Sequence, residues 1–271
     1  MTSYGKGPLY KMKTELSPKG EVSYALPLGE ELVPLNSLLE KKVKLSWQEK
    51  IFDVYDGALI KKSYAQGYSY KNFISLAQCD TCIVKPELCH FHEGTCREPE
   101  WGEKHCFIPH YIYLSITSGV KVGITRETQV PTRWIDQGAV FALPILKVPD
   151  RKTSGLVEVE IAKEFADKTN WRNMLKGKYQ EEDLETIRDN IYENYGDLLD
   201  DTDAEDVEES VLELHYPIKE VPEKFSSFSF DKKREVEGIL LGIKGQYLIL
   251  DTGVLNIRKH NGYDVEFFVE D

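Results

Sequence analysis

Apolar and polar residues alternate near both ends of the chain, which is the pattern of half-buried β-strands. Near the N-terminus this alternation covers residues 22–26 (VSYAL) and 42–47 (KVKLSW). Near the C-terminus it recurs in four segments, at 236–243, 247–250, 254–258 and 265–269. Because neither end has many strands of its own, we predict that the two ends share one small barrel or sheet.

The middle of the chain contains a predicted β-hairpin. Residues 111–116 (YIYLSI) and 120–125 (VKVGIT) are two strand-like runs joined by the short, polar link 117–119. Pro131 follows, and proline is favoured in the first turn of a helix because its backbone angle is already helical. We therefore predict a hairpin and then a short helix through Arg133.

Two further helices are predicted after the hairpin. Thr153 or Ser154 can cap the first of them, because a hydroxyl at a helix start accepts a hydrogen bond from a free amide. This helix is expected to run from about 155 to 167, and a second helical stretch covers 171–175 and ends at Gly177.

These patterns predict an α+β protein with five segments. They are a β-rich N-terminal module (1–75), a Cys/His cluster (76–110), an α/β unit (111–177), an acidic helical segment (178–210) and a β-rich C-terminal module (211–271).

Composition favours a globular protein outside the membrane. The chain has 271 residues, of which 41% are hydrophobic. No apolar run approaches the roughly 18 residues of a membrane helix, so no membrane partner is expected. The first residues (MTSYGK) lack the apolar core of a signal peptide. We therefore expect a cytoplasmic protein.

The negative charge is concentrated in one segment. The net charge is −12, and residues 180–209 hold 14 acidic residues and one basic residue. The rest of the chain has a net charge of +1, so it is able to approach an anion such as nucleic acid. The acidic segment is either a solvated helix and loop or a surface for a protein partner.

All five cysteines lie within 28 residues, interleaved with histidines. The cysteines are Cys79, Cys82, Cys89, Cys96 and Cys106. A disulfide framework normally spreads an even number of cysteines, whereas a tight, odd cluster is typical of a metal site. The alternative is a set of buried free thiols.

Structural zinc is the metal that this cluster favours. Zinc takes four thiolate or imidazole ligands in a closed site, and a C-x2-C pair places two thiolates on one ion. Cys79 and Cys82 are therefore the first choice. Cys96 and Cys106 come next, and Cys89 and His92 compete with them. With this many protein ligands no position stays open for water, so the site is expected to be structural.

Long motifs along the chain resemble a known family. They are CDTCIVKPELCHFHEGTCREPEWG, HYIYL, KVGITR, VPTRWIDQGA, SGLVEVEIAKEFADKTNWRNMLKG and GIKGQYLILDTGVLNIRKHNGY. These motifs resemble the bacterial and archaeal domain-of-unknown-function family numbered 2797, over nearly the whole chain. The resemblance implies no settled activity.

One departure from the family pattern concerns a second metal site. The resemblance implies a CxxCG motif followed by a CxxC motif ahead of the cluster. Here the matching places read DVYDG, with Asp53 and Asp56, and SYKN, with Ser69 and Asn72. The chain is therefore expected to bind no metal between residues 53 and 72. Tyrosines, Phe52 and Phe73 are expected to form an apolar core there.

The hairpin is also similar to the GIY-YIG nuclease superfamily. That resemblance implies a phosphodiester-binding site in which Tyr113 matches the first-strand tyrosine, Arg133 the helix arginine and Glu158 the metal-binding glutamate. Lys121 stands where the second motif has a tyrosine. The implied fold is a small GIY-YIG-like α/β unit beside a zinc knuckle, flanked by the β-rich ends.

The residues themselves give Glu158 partial support. Glu158 shares one helical face with Ile161, Ala162 and Phe165, and a carboxylate on an apolar stripe is costly unless it is paired or bound to a metal. The simpler alternatives are a salt bridge from Glu158 to Arg133, a core role for Tyr113, and surface roles for Arg133 and Lys121.

Two functions follow as expectations. One is a metal-dependent nuclease with Mg²⁺ at Glu158, and the other is an inactive, zinc-stabilised module that binds nucleic acid or protein.

Overall fold

A computed structural model of the chain describes residues 1–165 and 170–270. These residues form sixteen β-strands: β1 (Thr2–Pro8), β2 (Lys13–Leu16), β3 (Val22–Leu28), β4 (Glu31–Pro34), β5 (Lys42–Phe52), β6 (Leu59–Ile60), β7 (His110–Ile116), β8 (Val120–Arg126), β9 (Phe141–Val148), β10 (Glu205–Asp206), β11 (Leu212–Glu213), β12 (Ser227–Phe228), β13 (Glu235–Lys244), β14 (Tyr247–Leu250), β15 (Gly253–Asn256) and β16 (Tyr263–Val269). They also form six α-helices: α1 (Tyr70–Ser75), α2 (Pro99–His105), α3 (Thr132–Gln137), α4 (Arg151–Ile161), α5 (Trp171–Leu175) and α6 (Leu184–Asp201). The predicted α+β class is confirmed.

The chain divides into two compact units. One unit contains Met1–Ile74 together with His215–Asp271, and the other contains Ser75–Leu214. The chain therefore leaves the first unit after Ile74 and returns to it at His215.

In the first unit, strands from both ends of the chain form one sheet. The strand order is β1-β16-β5-β13-β14-β15-β12, and β6 pairs with β5. Alternate residues of β16, among them Val265, Phe267 and Val269, are fully buried, as a two-residue period requires. The predicted sheet shared by the two ends is thereby confirmed. Strands β2, β3 and β4 form a second, three-stranded sheet.

In the second unit, the sheet has the order β10-β9-β7-β8, with β11 also on β9. Strands β7 and β8 pair antiparallel, with Tyr113 opposite Gly123 and Ser115 opposite Lys121. The predicted hairpin is confirmed. Its β7 strand lies between two partners, which explains why nearly every residue of β7 is buried.

Helix α4 starts earlier than the sequence indicated. The Asp150 carboxylate accepts a hydrogen bond from the Thr153 amide at 2.9 Å and one from the Thr153 hydroxyl at 3.0 Å. Asp150 is therefore the N-cap, and the prediction that Thr153 or Ser154 caps this helix is wrong. The helix ends at Ile161. Its predicted end at Asp167 lies outside the described residues.

The acidic segment contributes to the core of the second unit. Helix α6 buries Leu184, Ile191 and Leu199 against a cluster that includes Ile112 and Leu114 of β7. Our expectation of a purely solvated segment is therefore wrong for this helix: its charges occupy one face, and its apolar residues recur after seven and eight positions on the other.

Across the described ranges, 1–165 and 170–270, no helix combines the length and the apolar character needed to cross a membrane.

Candidate metal centre

The cysteine-rich segment of the second unit consists mainly of short turns. Four 3-10 turns, at Ala77–Cys79, Thr81–Ile83, Pro86–Leu88 and Phe91–Glu93, precede α2. Within this described stretch there is no β-strand before His110. A segment of this kind buries little apolar surface, and small modules of that type usually depend on a disulfide or a metal for stability.

Four of the five cysteines surround one small cavity. Its lining includes Cys82, Cys89, Cys96 and Cys106, together with Asp80 and with mainly apolar residues. The volume is about 20 Å³, which is sufficient for one particle the size of a water molecule. The four cysteines therefore lie around a space that is large enough for a single ion.

Local structure explains how these cysteines come to line one cavity. Cys82 lies inside the Thr81–Ile83 turn, Cys89 ends the Pro86–Leu88 turn, and Cys106 ends α2. Cys96 lies beside Gly102 of α2, where a Cβ atom would be 3.5 Å from the Cys96 Sγ and 3.2 Å from the Phe91 ring. A residue without a side chain at 102 leaves room for both groups.

Burial disfavours the thiolate form of these cysteines in the absence of a cation. Burial raises the pKa of Cys82 to about 11, and the negative charges of Asp80 and the neighbouring cysteines add to that shift. Burial also raises the pKa of Cys106, against the opposing effect of Arg151 and Arg126. A bound divalent cation reverses this balance, because coordination deprotonates the thiol.

A second group of metal-binding atoms includes Cys82. The ligand atoms of Asp80, Cys82 and His90 all lie within 4.8 Å of one another. The Asp80 Oδ2 atom accepts a hydrogen bond from Arg97 Nε at 2.8 Å and lies 3.4 Å from His90 Nε2. Cysteines and this His/Cys/Asp group can therefore bind a metal ion, and Cys82 belongs to both sets.

The other two predicted ligands lie in different surroundings. Cys79 ends the Ala77–Cys79 turn and, within the described part of the chain, is not among the residues that line the cavity. The His92 ring packs edge-on against Phe91 and Phe107, with centroids 5.8 and 5.6 Å away. The C-x2-C spacing favoured Cys79, and no spacing in the sequence indicated the set that lines the cavity.

The four places matched to the family's additional cysteines form a hydrogen-bonded network in the first unit. The Asn72 amide donates to Asp53 Oδ2 at 2.8 Å and to Asp56 Oδ2 at 2.9 Å. The Asp53 carboxylate also accepts from the amides of Tyr55 and Ser69, at 2.8 and 2.7 Å. Burial acts to raise the pKa of Asp53, but these hydrogen bonds outweigh it and hold the pKa below its usual value.

Aromatic side chains pack nearby but do not form the expected apolar core, because Tyr70 is 59% exposed and Phe52 and Phe73 are only partly buried. Tyr64 lies against Tyr70 and Phe73, with ring centroids 5.4 and 5.9 Å apart. Polar residues occupy the four matched places, and hydrogen bonds connect them where an apolar core was expected.

Three of the residues implied by the nuclease resemblance lie together in the second unit. Tyr113 is fully buried, and its hydroxyl donates to Gln137 Oε1 at 3.0 Å and is also hydrogen bonded to Arg133. Burial raises the pKa of Tyr113, Arg133 opposes that shift, and the charge of Glu158 adds to it. Gln137 is a partner that the sequence did not indicate.

Lys121 lies on the same face of the hairpin as Tyr113. Lys121 and Gly123 are two residues apart on β8, and Gly123 is opposite Tyr113. A Cβ atom on Gly123 would be 2.7 Å from the Tyr113 ring, so the glycine makes room for the buried tyrosine.

Comparison with known proteins identifies one family. The family described as "Protein of unknown function (DUF2797)" matches residues 40–265. No curated protein and no solved structure matches the chain.

Proposed function

The chain belongs to the DUF2797 family of proteins of unknown function, and we propose that it is a zinc-binding protein in which Cys82, Cys89, Cys96 and Cys106 hold one structural zinc ion. The observation that supports this function best is the single cavity of about 20 Å³ with these four residues in its lining. Four thiolates in a closed site form the usual tetrahedral environment of structural zinc.

The Asp80, Cys82 and His90 group is the less favourable ligand set. The Asp80 carboxylate already accepts hydrogen bonds from Arg97 and from the Thr81 amide, the latter at 2.6 Å. His90 Nδ1 is 2.7 Å from the Thr95 hydroxyl. Asp80 and His90 therefore have protein partners that hold them beside the thiols.

A pair of serine variants tests the ligand set. Zinc would be measured by elemental analysis in the parent protein, in Cys82→Ser and in the matched variant Cys79→Ser. We expect about one zinc per chain in the parent and in Cys79→Ser, and a large loss in Cys82→Ser. Equal loss in both variants would overturn the assignment of the four ligands. A parent protein without zinc, with five freely titratable thiols, would overturn the zinc function itself.

We propose, as a second candidate, that the second unit binds a phosphate group of nucleic acid through Arg133 and Lys121. The observation in favour is the contact between the Tyr113 hydroxyl and Arg133, with the Glu158 charge close by. An arginine guanidinium can donate hydrogen bonds to two phosphate oxygens at once. Tyr113 and Gln137 would hold the arginine in place.

Binding is better supported than cleavage. A Mg²⁺ ion at Glu158 would supply charge neutralisation on the phosphate. The Tyr113 side chain, however, is fully buried, so in this conformation its hydroxyl orients Arg133 and does not reach a substrate. The lysine at the second motif also fits an anion-binding site.

Binding to labelled single-stranded DNA and RNA would be measured by fluorescence anisotropy across a salt series. We expect Arg133→Met to weaken binding and to reduce the slope of log affinity against log salt by about one. The exposed Arg172→Met is the matched control and should match the parent. Unchanged binding in Arg133→Met would overturn the phosphate site. Cleavage with Mg²⁺ or Mn²⁺ that is lost in Glu158→Gln would favour the nuclease.

A further inference from the structure

Two arginines beside the thiol cavity have buried N–H groups without an acceptor. Arg151 Nη2 donates to the Ile83 carbonyl at 2.5 Å, but its Nε is buried and has no hydrogen-bond partner among the described residues. Arg126 lies over the Trp101 ring, with its guanidinium carbon 5.4 Å from the ring centre, and its Nε is likewise buried without a partner. Within the described chain, neither guanidinium forms an ion pair with a carboxylate.

Such an arrangement is unfavourable in the metal-free protein. A partly buried guanidinium without a counter-charge loses hydration, and a carbonyl or an aromatic ring compensates only part of that loss. Arg151 and Arg126 both act on the Cys106 thiol, and Arg151 also acts on Cys82. Arg133 and His110 also lie in this neighbourhood, together with the two arginines themselves, and none of them supplies negative charge. The thiols of Cys82 and Cys106 can supply it once they are deprotonated.

We infer that Arg126 and Arg151 neutralise a doubly negative zinc–tetrathiolate centre, and donate N–H groups toward its sulfur atoms. This inference rests on the proposed zinc function. A zinc ion with four thiolates has a net charge of −2, and the two guanidinium groups supply +2. Zinc held by Asp80, Cys82, a neutral His90 and a neutral fourth ligand such as water would have no net charge, so both arginines would remain without compensation. The charge count therefore selects the four-thiolate set.

Hydrogen bonds and nearby positive charge withdraw electron density from the sulfur atoms. The coordinated thiolates should then be weaker nucleophiles and should resist protonation. Partners of this kind typically contribute a factor of about 10 to 100 to metal affinity. The effect is distinct from packing, because it changes the electronic properties of the metal–sulfur bonds.

The experiment uses the full chain with the variants Arg126→Met, Arg151→Met and the double variant. Arg151→Lys keeps the positive charge but loses the planar guanidinium with its several N–H donors. Arg188→Met is a control, because it removes an arginine that is paired with Asp189. Three quantities would be compared: zinc affinity by chelator competition, the energy of the sulfur-to-metal charge-transfer band with Co²⁺ in place of zinc, and the rate of alkylation by iodoacetamide.

We expect zinc affinity to fall about 10-fold or more for each arginine replaced by methionine. The charge-transfer band should move to lower energy, and alkylation should become faster. Arg151→Lys should retain more affinity than Arg151→Met, and Arg188→Met should behave as the parent. If the methionine variants fail to fold, Arg151→Gln, which keeps N–H donors without the charge, serves as the second variant.

The outcomes separate this inference from the proposed function. If the parent binds Co²⁺ through four thiolates and the double variant keeps the same affinity and band energy, the inference fails while the zinc function stands. If Arg151→Lys loses as much affinity as Arg151→Met without a shift of the band, the arginine acts through packing and the inference also fails. A parent without a metal–thiolate band overturns the proposed function first.

Discussion

Asn72 joins two carboxylates that come from one turn of the first unit. Its amide donates to both Asp53 and Asp56, while Asp53 is only 1% exposed. A buried carboxylate is stable only when donors surround it. Asn72 therefore acts as a cross-link between the start of α1 and the turn after β5.

Replacing Asn72 by alanine should destabilise the first unit by about 2–3 kcal/mol, because two hydrogen bonds to charged acceptors are lost and Asp53 stays buried. Urea unfolding, with hydrogen exchange of peptides from the first unit, would measure the change. Asn194→Ala, at an exposed position of α6, should change stability by less than about 0.5 kcal/mol. A similarly small effect of Asn72→Ala would show that the network is dispensable.

Lys244 is a buried cation in the first unit. Its side chain is 3% exposed and its Nζ lies 5.0 Å from the centre of the Tyr216 ring. Among the described residues no carboxylate is within ion-pair distance of it. Burial lowers the pKa of Lys244 to about 8.

Lys244→Met should therefore stabilise the protein at pH 7, by up to about 3 kcal/mol. Below pH 8 the buried Lys244 of the folded parent is charged, so the full cost of desolvating that charge destabilises the fold. Between pH 8 and 10.5 the unfolded parent binds more protons than the folded parent, so its stability rises with pH. The advantage of Lys244→Met should shrink over that window, as followed by urea unfolding. The exposed Lys41→Met should show no such trend, and a pH-independent gain in Lys244→Met would contradict the argument.

At the scale of elements, α4 packs unusually close to the turn that presents Cys89. A Cβ atom on Gly155 would lie 2.6 Å from both the Glu87 amide nitrogen and the Pro86 Cβ. Backbone atoms cannot move aside as a flexible side chain can. The glycine therefore allows the helix to support the Pro86–Leu88 turn.

Two alanine substitutions in helices should have opposite effects. Gly155→Ala should destabilise the second unit by about 1–3 kcal/mol, because overpacking outweighs the gain in helix propensity. Gly196→Ala in α6 has nothing within 4 Å of its Cβ and should stabilise by up to about 1 kcal/mol. Thermal unfolding of the two variants would measure both changes in stability. Stabilisation by Gly155→Ala would show that the turn moves freely.

Helix α6 contributes buried residues to the core of the second unit, although its segment is strongly acidic. Ile191 is 2% exposed within the core cluster of the second unit. Ile191→Ala should cost about 2–4 kcal/mol of unfolding free energy, because it leaves a cavity. Asp197→Ala, on the exposed face, should change stability by less than about 0.5 kcal/mol. If urea unfolding shows equal effects, the helix is a solvated appendage that contributes nothing to the core.

For the whole molecule, local patterns predicted the strands, the hairpin and the sheet shared by both ends, because a two-residue period is present in the sequence itself. The core role of 180–209 was missed because acidic residues dominate the segment and its buried residues Leu184, Ile191 and Leu199 are widely spaced. The ligand set was not predictable from spacing, because it depends on the directions of four successive turns. The sequence did not indicate a role for Arg126 and Arg151, because only the fold of β8 and α4 brings them near the cysteines.

The prediction at the scale of the whole molecule concerns the effect of removing the metal. The segment before β7 has short turns and little buried apolar surface, so its folding free energy should come largely from metal binding. A strong chelator should therefore lower the unfolding temperature of the second unit. Hydrogen exchange should increase in residues 76–106 and in α4, which packs on the Pro86–Leu88 turn, while peptides of the first unit stay protected.

The same prediction has a pH dependence with a definite sign. Because burial raises the thiol pKa values of Cys82 and Cys106, the metal-free thiols are protonated at neutral pH, and metal binding releases their protons. Affinity should therefore fall as the pH is lowered, and each protonated thiol should make that fall steeper. Zinc release followed from pH 8 to pH 5 with a colorimetric chelator would measure it. Release that is independent of pH, or exchange that increases equally in both units after chelation, would contradict a metal centre built from these thiols.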